Sequence, residues 1–186
     1  MVVLNMHEKA NFCFELYKAF RTRNQKRLRK LNDQILKAAV LSFKKELFDL
    51  AVYSYVLSKV VSKPRFLAKE YIPIMNSIES SLHNIVDFAY ADLEKWNRGV
   101  TILEKDIAAL EKDDPRYVTT LIRKGRLKSA ATMYAQGLSL SLCSELTGIE
   151  KQEILDYSGK TVMFERLREE KDIFERIKIA RRMILE

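Results

Sequence analysis

Apolar residues recur at steps of three and four along nearly the whole chain, the spacing that gathers them on one face of an α-helix. Phe12, Leu16, Ala19 and Phe20 mark a first helix from His7 to about Arg23. A second run starts near Gln25 and carries Leu28, Leu31, Ile35, Ala39, Phe43, Leu47, Leu50 and Leu57, with no glycine or proline to interrupt it. It predicts either one helix spanning about 50 Å, at about 1.5 Å per residue, or two helices joined by a small kink. Pro64 and Pro73 bracket a connection with room for a short helix at Arg65 to Tyr71, because proline disfavours helical geometry in the residue before it. A third run begins at Ile74 and passes Ile78, Leu82, Ile85, Phe88, Leu93, Trp96, Val100, Leu103, Ile107 and Leu110, with Gly99 its one weak point. Helices with this much apolar surface cannot stand alone, and an antiparallel bundle over residues 6–112 is the economical packing.

Asp114 reads as a helix cap with Pro115 at the first helical position, so a boundary falls just before them. The expected domains are 1–112, a helical bundle, and 113–186. Beyond the boundary Gly125, Gly137, Gly148 and Gly159 stand 12, 11 and 11 residues apart, which keeps the helices between them short. After Thr161 the breakers vanish again and a long terminal helix is predicted. Its apolar positions Met163, Leu167, Phe174, Ile177 and Ile184 suit a partner helix, in the same chain or in a second copy, and a homodimer is expected.

Composition narrows the fold class. Five glycines and three prolines in 186 residues are about 4 per cent, against roughly 12 per cent in an ordinary protein. Sandwiches and doubly wound sheets need more turns than that, so the chain should be all-α. A hydrophobic share of 47% excludes disorder as the main state. Cys13 and Cys143 stand far apart without a Cys-x-x-Cys partner, which argues for buried thiols and against a disulfide scaffold or a thiolate zinc site. No apolar run approaches 18 residues and the opening stretch is too short for a secretory h-region, so neither membrane spanning nor secretion is expected and a cytoplasmic location follows.

The net charge of +8 is concentrated. Residues 21–45 hold Arg21, Arg23, Lys26, Arg27, Arg29, Lys30, Lys37, Lys44 and Lys45 against the single carboxylate of Asp33. An anionic partner is therefore sought first near this stretch, and nucleic acid leads because clustered Lys and Arg release counterions from phosphates. A solvated helix face is the competing account.

Residues 137–161 carry the functional argument. Ser139 can cap a helix from Leu140 to Thr147; Gly148 supplies the positive φ of a sharp corner; Ile149 plugs it; Glu150 to Tyr157 forms the next helix. Cys143, Ser144, Ile149, Ile154 and Tyr157 fall where two short crossed helices must touch. On these residues, with Glu145, Leu146 and Thr147 completing the core of the corner, the stretch resembles the DNA-binding helix-turn-helix family, and Leu127 to Gln136 would be the supporting first helix. The likeness covers residues 127–161 only. It departs from the family at Ser144, where alanine is usual.

With the resemblance supplying a tri-helical helix-turn-helix unit, the expected architecture is all-α: an N-terminal antiparallel bundle, that unit and a long C-terminal helix. The resemblance makes Glu150 to Tyr157 the recognition helix, with Lys151 and Gln152 facing base edges and Glu150, Glu153 and Asp156 opposing phosphate. Phosphate contacts would come from the flanks, Arg116, Arg123, Lys124, Arg126 and Lys128 before and Lys160 and Arg166 after, with Ser139 at the helix start and Arg21, Arg23, Lys26, Arg27, Arg29 and Lys30 of the basic stretch.

Other chemistry lacks a pattern. His7 and His83 are the only histidines, and no phosphate-loop, dinucleotide or nucleophile-elbow motif occurs, so no enzyme, metal or cofactor is expected. Glu79 and His83 can share a helix face but lack the further carboxylates of a di-metal site. Tyr53, Tyr55, Tyr71, Tyr90, Trp96 and Tyr134 sit at helical spacing among aliphatic residues and are read as core packing. The expected function is nucleic-acid binding, with duplex DNA favoured, by a dimeric transcriptional regulator. The alternatives are a helical adaptor that grips protein, and RNA binding through residues 21–45.

Overall fold

The computed structural model describes residues 2–111 and 121–161. The expected boundary at Asp114 and Pro115, the flanking Arg116 and Arg166, and the terminal helix with Phe174 lie outside them. The protein is all-α. The described residues form α1 (Val2–Arg21), α2 (Gln25–Ser42), α3 (Lys45–Val61), α4 (Ile72–Phe88), α5 (Leu93–Glu111), α6 (Leu121–Ala135), α7 (Leu140–Thr147) and α8 (Lys151–Lys160), with no strand among them.

Helix α3 is the centre. Leu47, Phe48, Leu50, Ala51, Val52, Tyr53, Val56, Leu57 and Val60 are all buried, so the helix is covered on every side rather than along one stripe. It touches α1, α2, α6 and α7. Four valines at Val52, Val56, Val60 and Val61 are modest helix formers, and their burial outweighs the few tenths of a kcal/mol that each one's propensity costs.

The second apolar run is neither one rod nor a gently kinked pair. Phe43 takes a left-handed conformation (φ 52, ψ 35) and donates its N–H to Ala39 O at 2.9 Å. The chain reverses there and α3 folds back along α2. Two buried side chains fix the register of this hairpin: Asn32 Nδ2 donates to Ala51 O at 2.8 Å, and Ser54 Oγ to Leu28 O at 2.7 Å. Sliding the helices would strand both donors, at about 1–3 kcal/mol for each unsatisfied group.

The third run is also split, and not at Gly99. Helix α4 ends at Phe88, and Asp92 opens α5 by accepting the Lys95 N–H at 2.8 Å, a bond that holds its carboxyl below the usual range. Gly99 lies inside α5 and lets the two helices close up: a Cβ there would stand 2.9 Å from Cδ2 of Phe88. The connection between the two prolines holds two 3₁₀ turns, Pro64–Leu67 and Lys69–Tyr71, in place of one short helix.

Helix α6 crosses α3 at Gly125, where a Cβ would lie 3.1 Å from both Val52 Cγ1 and Val56 Cγ2. One core then runs from Cys13 and Leu16 through α3 to Ala130, Met133, Cys143, Ile149 and Ile154. Both cysteines are free buried thiols, and burial pushes Cys13 up to about 12 and Cys143 up to about 11. Tyr53 and Trp96 are core residues, as their spacing predicts, and Tyr55, Tyr71 and Tyr134 pack against the core. Tyr90 is not buried; it is exposed and meets His7 edge to face, because it follows the end of α4.

The Phe43 ring is 60% exposed while its backbone sits where L-residues are strained by about 1–2 kcal/mol. Phe43→Gly should therefore raise the urea midpoint, by about 1 kcal/mol of stability. A lower midpoint would mean that the ring's packing outweighs its backbone cost.

Candidate nucleic-acid interface

The corner between α7 and α8 is built from its own side chains. Ser139 accepts the Leu142 N–H at 3.2 Å and so caps α7. Gly148 ends it at φ 68 and ψ 15, its N–H bonded to Ser144 O at 2.8 Å. The Thr147 hydroxyl donates to Cys143 O at 2.7 Å and accepts the Ile149 N–H at 3.2 Å. Ser144 donates to Ile149 O at 2.7 Å, so its hydroxyl satisfies a carbonyl at the bend. Cys143, Ile149 and Ile154 are buried beneath it.

The leading edge of α8 is open to solvent. Lys151 and Gln152 are exposed, and Gln152 Nε2 donates to Asp156 at 2.8 Å, which leaves its carbonyl oxygen and a second N–H. Lys160 is exposed at the far end. Helix α6 begins at Leu121 and so reaches six residues further back than the expected Leu127.

Much of the expected cationic surface is already balanced. Arg123 pairs with Glu153 of α8 at 2.6 Å. Arg126 lies at the junction of α3, α5 and α6, 3.1 Å from Glu104 and 3.7 Å from Asp49, so it is a structural ion rather than an outward-facing phosphate contact. The same cluster takes a Tyr53 hydroxyl donating to Glu104 at 2.8 Å and Lys45 pairing with Asp49 at 3.0 Å. In the basic stretch, Arg21 and Arg23 converge on Glu79, and Arg27 pairs with Glu15 at 2.7 Å. Lys26, Arg29 and Lys30 are exposed on α2 with no carboxylate paired to them among the described residues. Lys124 is exposed on α6.

Helix α6 touches both α2 and α8 and passes beside Tyr55 of α3. Lys128 of α6 and Lys59 of α3 stand over its ring, 4.4 and 5.4 Å from the centroid. Burial raises the Tyr55 hydroxyl above its ordinary range, Tyr157 of α8 adds to the rise, and Arg29 of α2 opposes it. Asp33 of α2 is held above the usual carboxylate range by burial, against the pull of Lys128 and Lys37.

The chain matches no family model, no curated protein and no solved structure.

Sequence spacing did not reveal Tyr55 as a junction, since its position reads equally as core. Nor did it reveal Glu15, Glu79, Glu104 and Asp49 as partners of the arginines, because these pairs join different helices. Among the described residues no cluster of His, Cys, Asp and Glu could hold a metal ion, and no helix is long and apolar enough to cross a membrane.

Asp49 gives this region a pH signature. Its burial outweighs Lys45 and Arg126 and raises its pKa above the ordinary 3.8. The folded chain then holds that proton more tightly than the unfolded one, so this group's contribution to stability falls as pH climbs from 3.8 through the folded value, and the loss is complete above it. Asp49→Asn should remove that component. The difference in urea midpoint between variant and parent should shift in the variant's favour as pH rises through this window; a flat difference would contradict the assignment.

Proposed function

We propose that this protein binds nucleic acid, duplex DNA in the first place, through the surface shared by α2 and α8, as a transcriptional regulator of helix-turn-helix type. The observation that carries the reading is that α6 packs on both α2 and α8, which joins Lys26, Arg29 and Lys30, exposed on α2, to the helix whose leading edge is exposed. In this reading Lys26, Arg29, Lys30, Lys128 and Lys160 meet phosphates, while Lys151 and Gln152 reach base edges. The pairing of Arg123 with Glu153 supports it, because it balances one of the three carboxylates that would repel a phosphate backbone. RNA bound along α2 is the same electrostatic surface put to a different polymer. The apolar seam of residues 162–186 supports a two-fold copy, which would present two such surfaces to paired half-sites.

A second reading draws on Leu155, which is 36% exposed on α8 beside Asp156. An apolar residue among carboxylates suits an adaptor surface that grips a protein.

Salt dependence separates these readings. Duplex affinity should fall steeply with salt, and converting Lys26, Arg29 and Lys30 to Gln should lower the slope of log K against log salt by about 2.7, at about 0.9 per phosphate contact. Gln152→Ala should change sequence preference with little change in slope. No duplex or RNA binding at about 50 mM salt would abandon nucleic acid in favour of the adaptor. Light scattering tests the copy number: a dimer that Phe174→Asp splits is expected, and a monomer at all concentrations ends the two-fold proposal.

A further inference from the structure

A groove of about 440 Å³ runs between α1 and α4, lined by Tyr17, Asn76, Glu79, Ser80, His83 and Asn84. That volume lies in the range of about 300–1,000 Å³ common for small-molecule sites. Its lining is unusual for the outer face of a helix. Asn76, Ser80 and Asn84 recur every fourth residue of α4, a row of neutral donors and acceptors where Lys, Glu or Ala would serve helix stability better by several tenths of a kcal/mol each. Tyr17 of α1 stands across from them and meets His83 of α4 edge to face, ring centroids 5.4 Å apart. His83 Nδ1 lies 3.3 Å from Asp87, an ion pair when the ring is protonated, which leaves Nε2 for another partner.

Two arginines adjoin the groove at Glu79. Arg21 Nε and Arg23 Nη2 stand 3.6 and 3.7 Å from the two oxygens of Glu79, beyond direct hydrogen-bond distance, so two guanidinium groups share one carboxylate loosely. Arg21 also donates to the Tyr17 hydroxyl at 3.4 Å. Arg23 is placed with some force. It ends α1 in a left-handed conformation (φ 53), where glycine is the default, with its own N–H on Phe20 O and the Asn24 N–H on Ala19 O. Its Nη1 donates to Phe20 O at 3.0 Å, and the guanidinium lies 4.6 Å from the centroid of the Phe20 ring. A strained arginine, locked by its own backbone contacts and turned toward a half-balanced charge, is the kind of outlier that accompanies binding sites.

Amides that read base edges, rings against which a base can pack, and two arginines beside them are together the chemistry of a nucleotide. We propose that the α1–α4 groove binds a single unpaired nucleotide, its base among Tyr17, Asn76, His83 and Asn84 and its phosphate at Arg21 and Arg23. The nucleotide is either free or one unit of a single strand. The site goes beyond the duplex reading and does not depend on it, since it uses neither α8 nor the cations of Lys26, Arg29 and Lys30.

The 186-residue chain has two histidines, so the ring signals of His83 can be followed by NMR with His7 as the internal reference. Titration with 5′-AMP, inorganic phosphate and a short single-stranded oligonucleotide gives the decisive comparison. Saturable shifts of His83 with 5′-AMP, at about tenfold higher affinity than phosphate, are expected if the ligand is free. Shifts with the oligonucleotide alone assign the site to a strand. Asn76→Ala with Asn84→Ala should remove the advantage over phosphate. Arg23→Gly keeps the left-handed turn and should melt no lower than the parent, yet weaken the nucleotide by about tenfold. Equal binding of phosphate and nucleotide, unchanged affinity in Arg23→Gly, or a His83 signal that none of the probes moves would overturn the proposal. Duplex binding lost with these effects intact would sink the regulator reading and leave the groove standing.

Discussion

The crossing at Gly125 decides what the surface of this protein can be. With no side chain between them, the backbone of α6 comes down onto Val52 and Val56 of the central helix, and any larger residue would hold it away. The next residue, Arg126, places its charge against Asp49 and Glu104 of α3 and α5, and Lys128 carries its ammonium over Tyr55. One close contact, followed by an ion cluster and a cation over a ring, sets α6 on α3. Because α8 packs on α6, that contact also sets how near α8 comes to the basic helix α2.

Net charge alone would have put the interface everywhere along residues 21–45. The structure divides that stretch in two. Arginines near its start turn inward to Glu79 and Glu15 and knit α1, α2 and α4 together, whereas Lys26, Arg29 and Lys30 face water. Bridges this exposed add little stability, about 0–1 kcal/mol each, but they cancel charge that a polyanion would otherwise meet. Arg126 differs in kind: it approaches a carboxylate only 7% exposed, and removing it would leave that carboxylate short of a partner.

Helical content, the corner at Gly148, the cap at Ser139 and most of the core were legible in the sequence because each rests on a local rule: spacing of apolar residues, a positive φ that glycine supplies, a side-chain oxygen at a helix start. The two long runs were misjudged for the converse reason. At the α2–α3 reversal the left-handed residue is Phe43, and between α4 and α5 the turn at Ala89 to Asp92 holds neither glycine nor proline, so nothing in composition marks either reversal. Gly99, which looked like a break, is instead where α5 meets Phe88. The groove and the Tyr55 junction were out of reach because their members come from helices far apart in sequence; four-residue spacing brought Glu79 and His83 together but could not supply Tyr17 or Arg23.

Helix α2 is held at both ends by the same uncommon device. Arg23 just before it and Phe43 just after it are the non-glycine residues with positive φ among the described residues. Each is strained by about 1–2 kcal/mol relative to an ordinary backbone, and such a conformation persists only where its surroundings over-determine it. Those surroundings are the buried bonds of Asn32 and Ser54, which allow α2 a single register on α3. A glycine at either corner would permit the same turns at lower cost. At Arg23 the side chain offers a reason for the cost, because it reaches Glu79 at the groove. At Phe43 the ring is mostly in water and makes no comparable contact among the described residues, which is why relief of strain, rather than loss of packing, should dominate when it is removed.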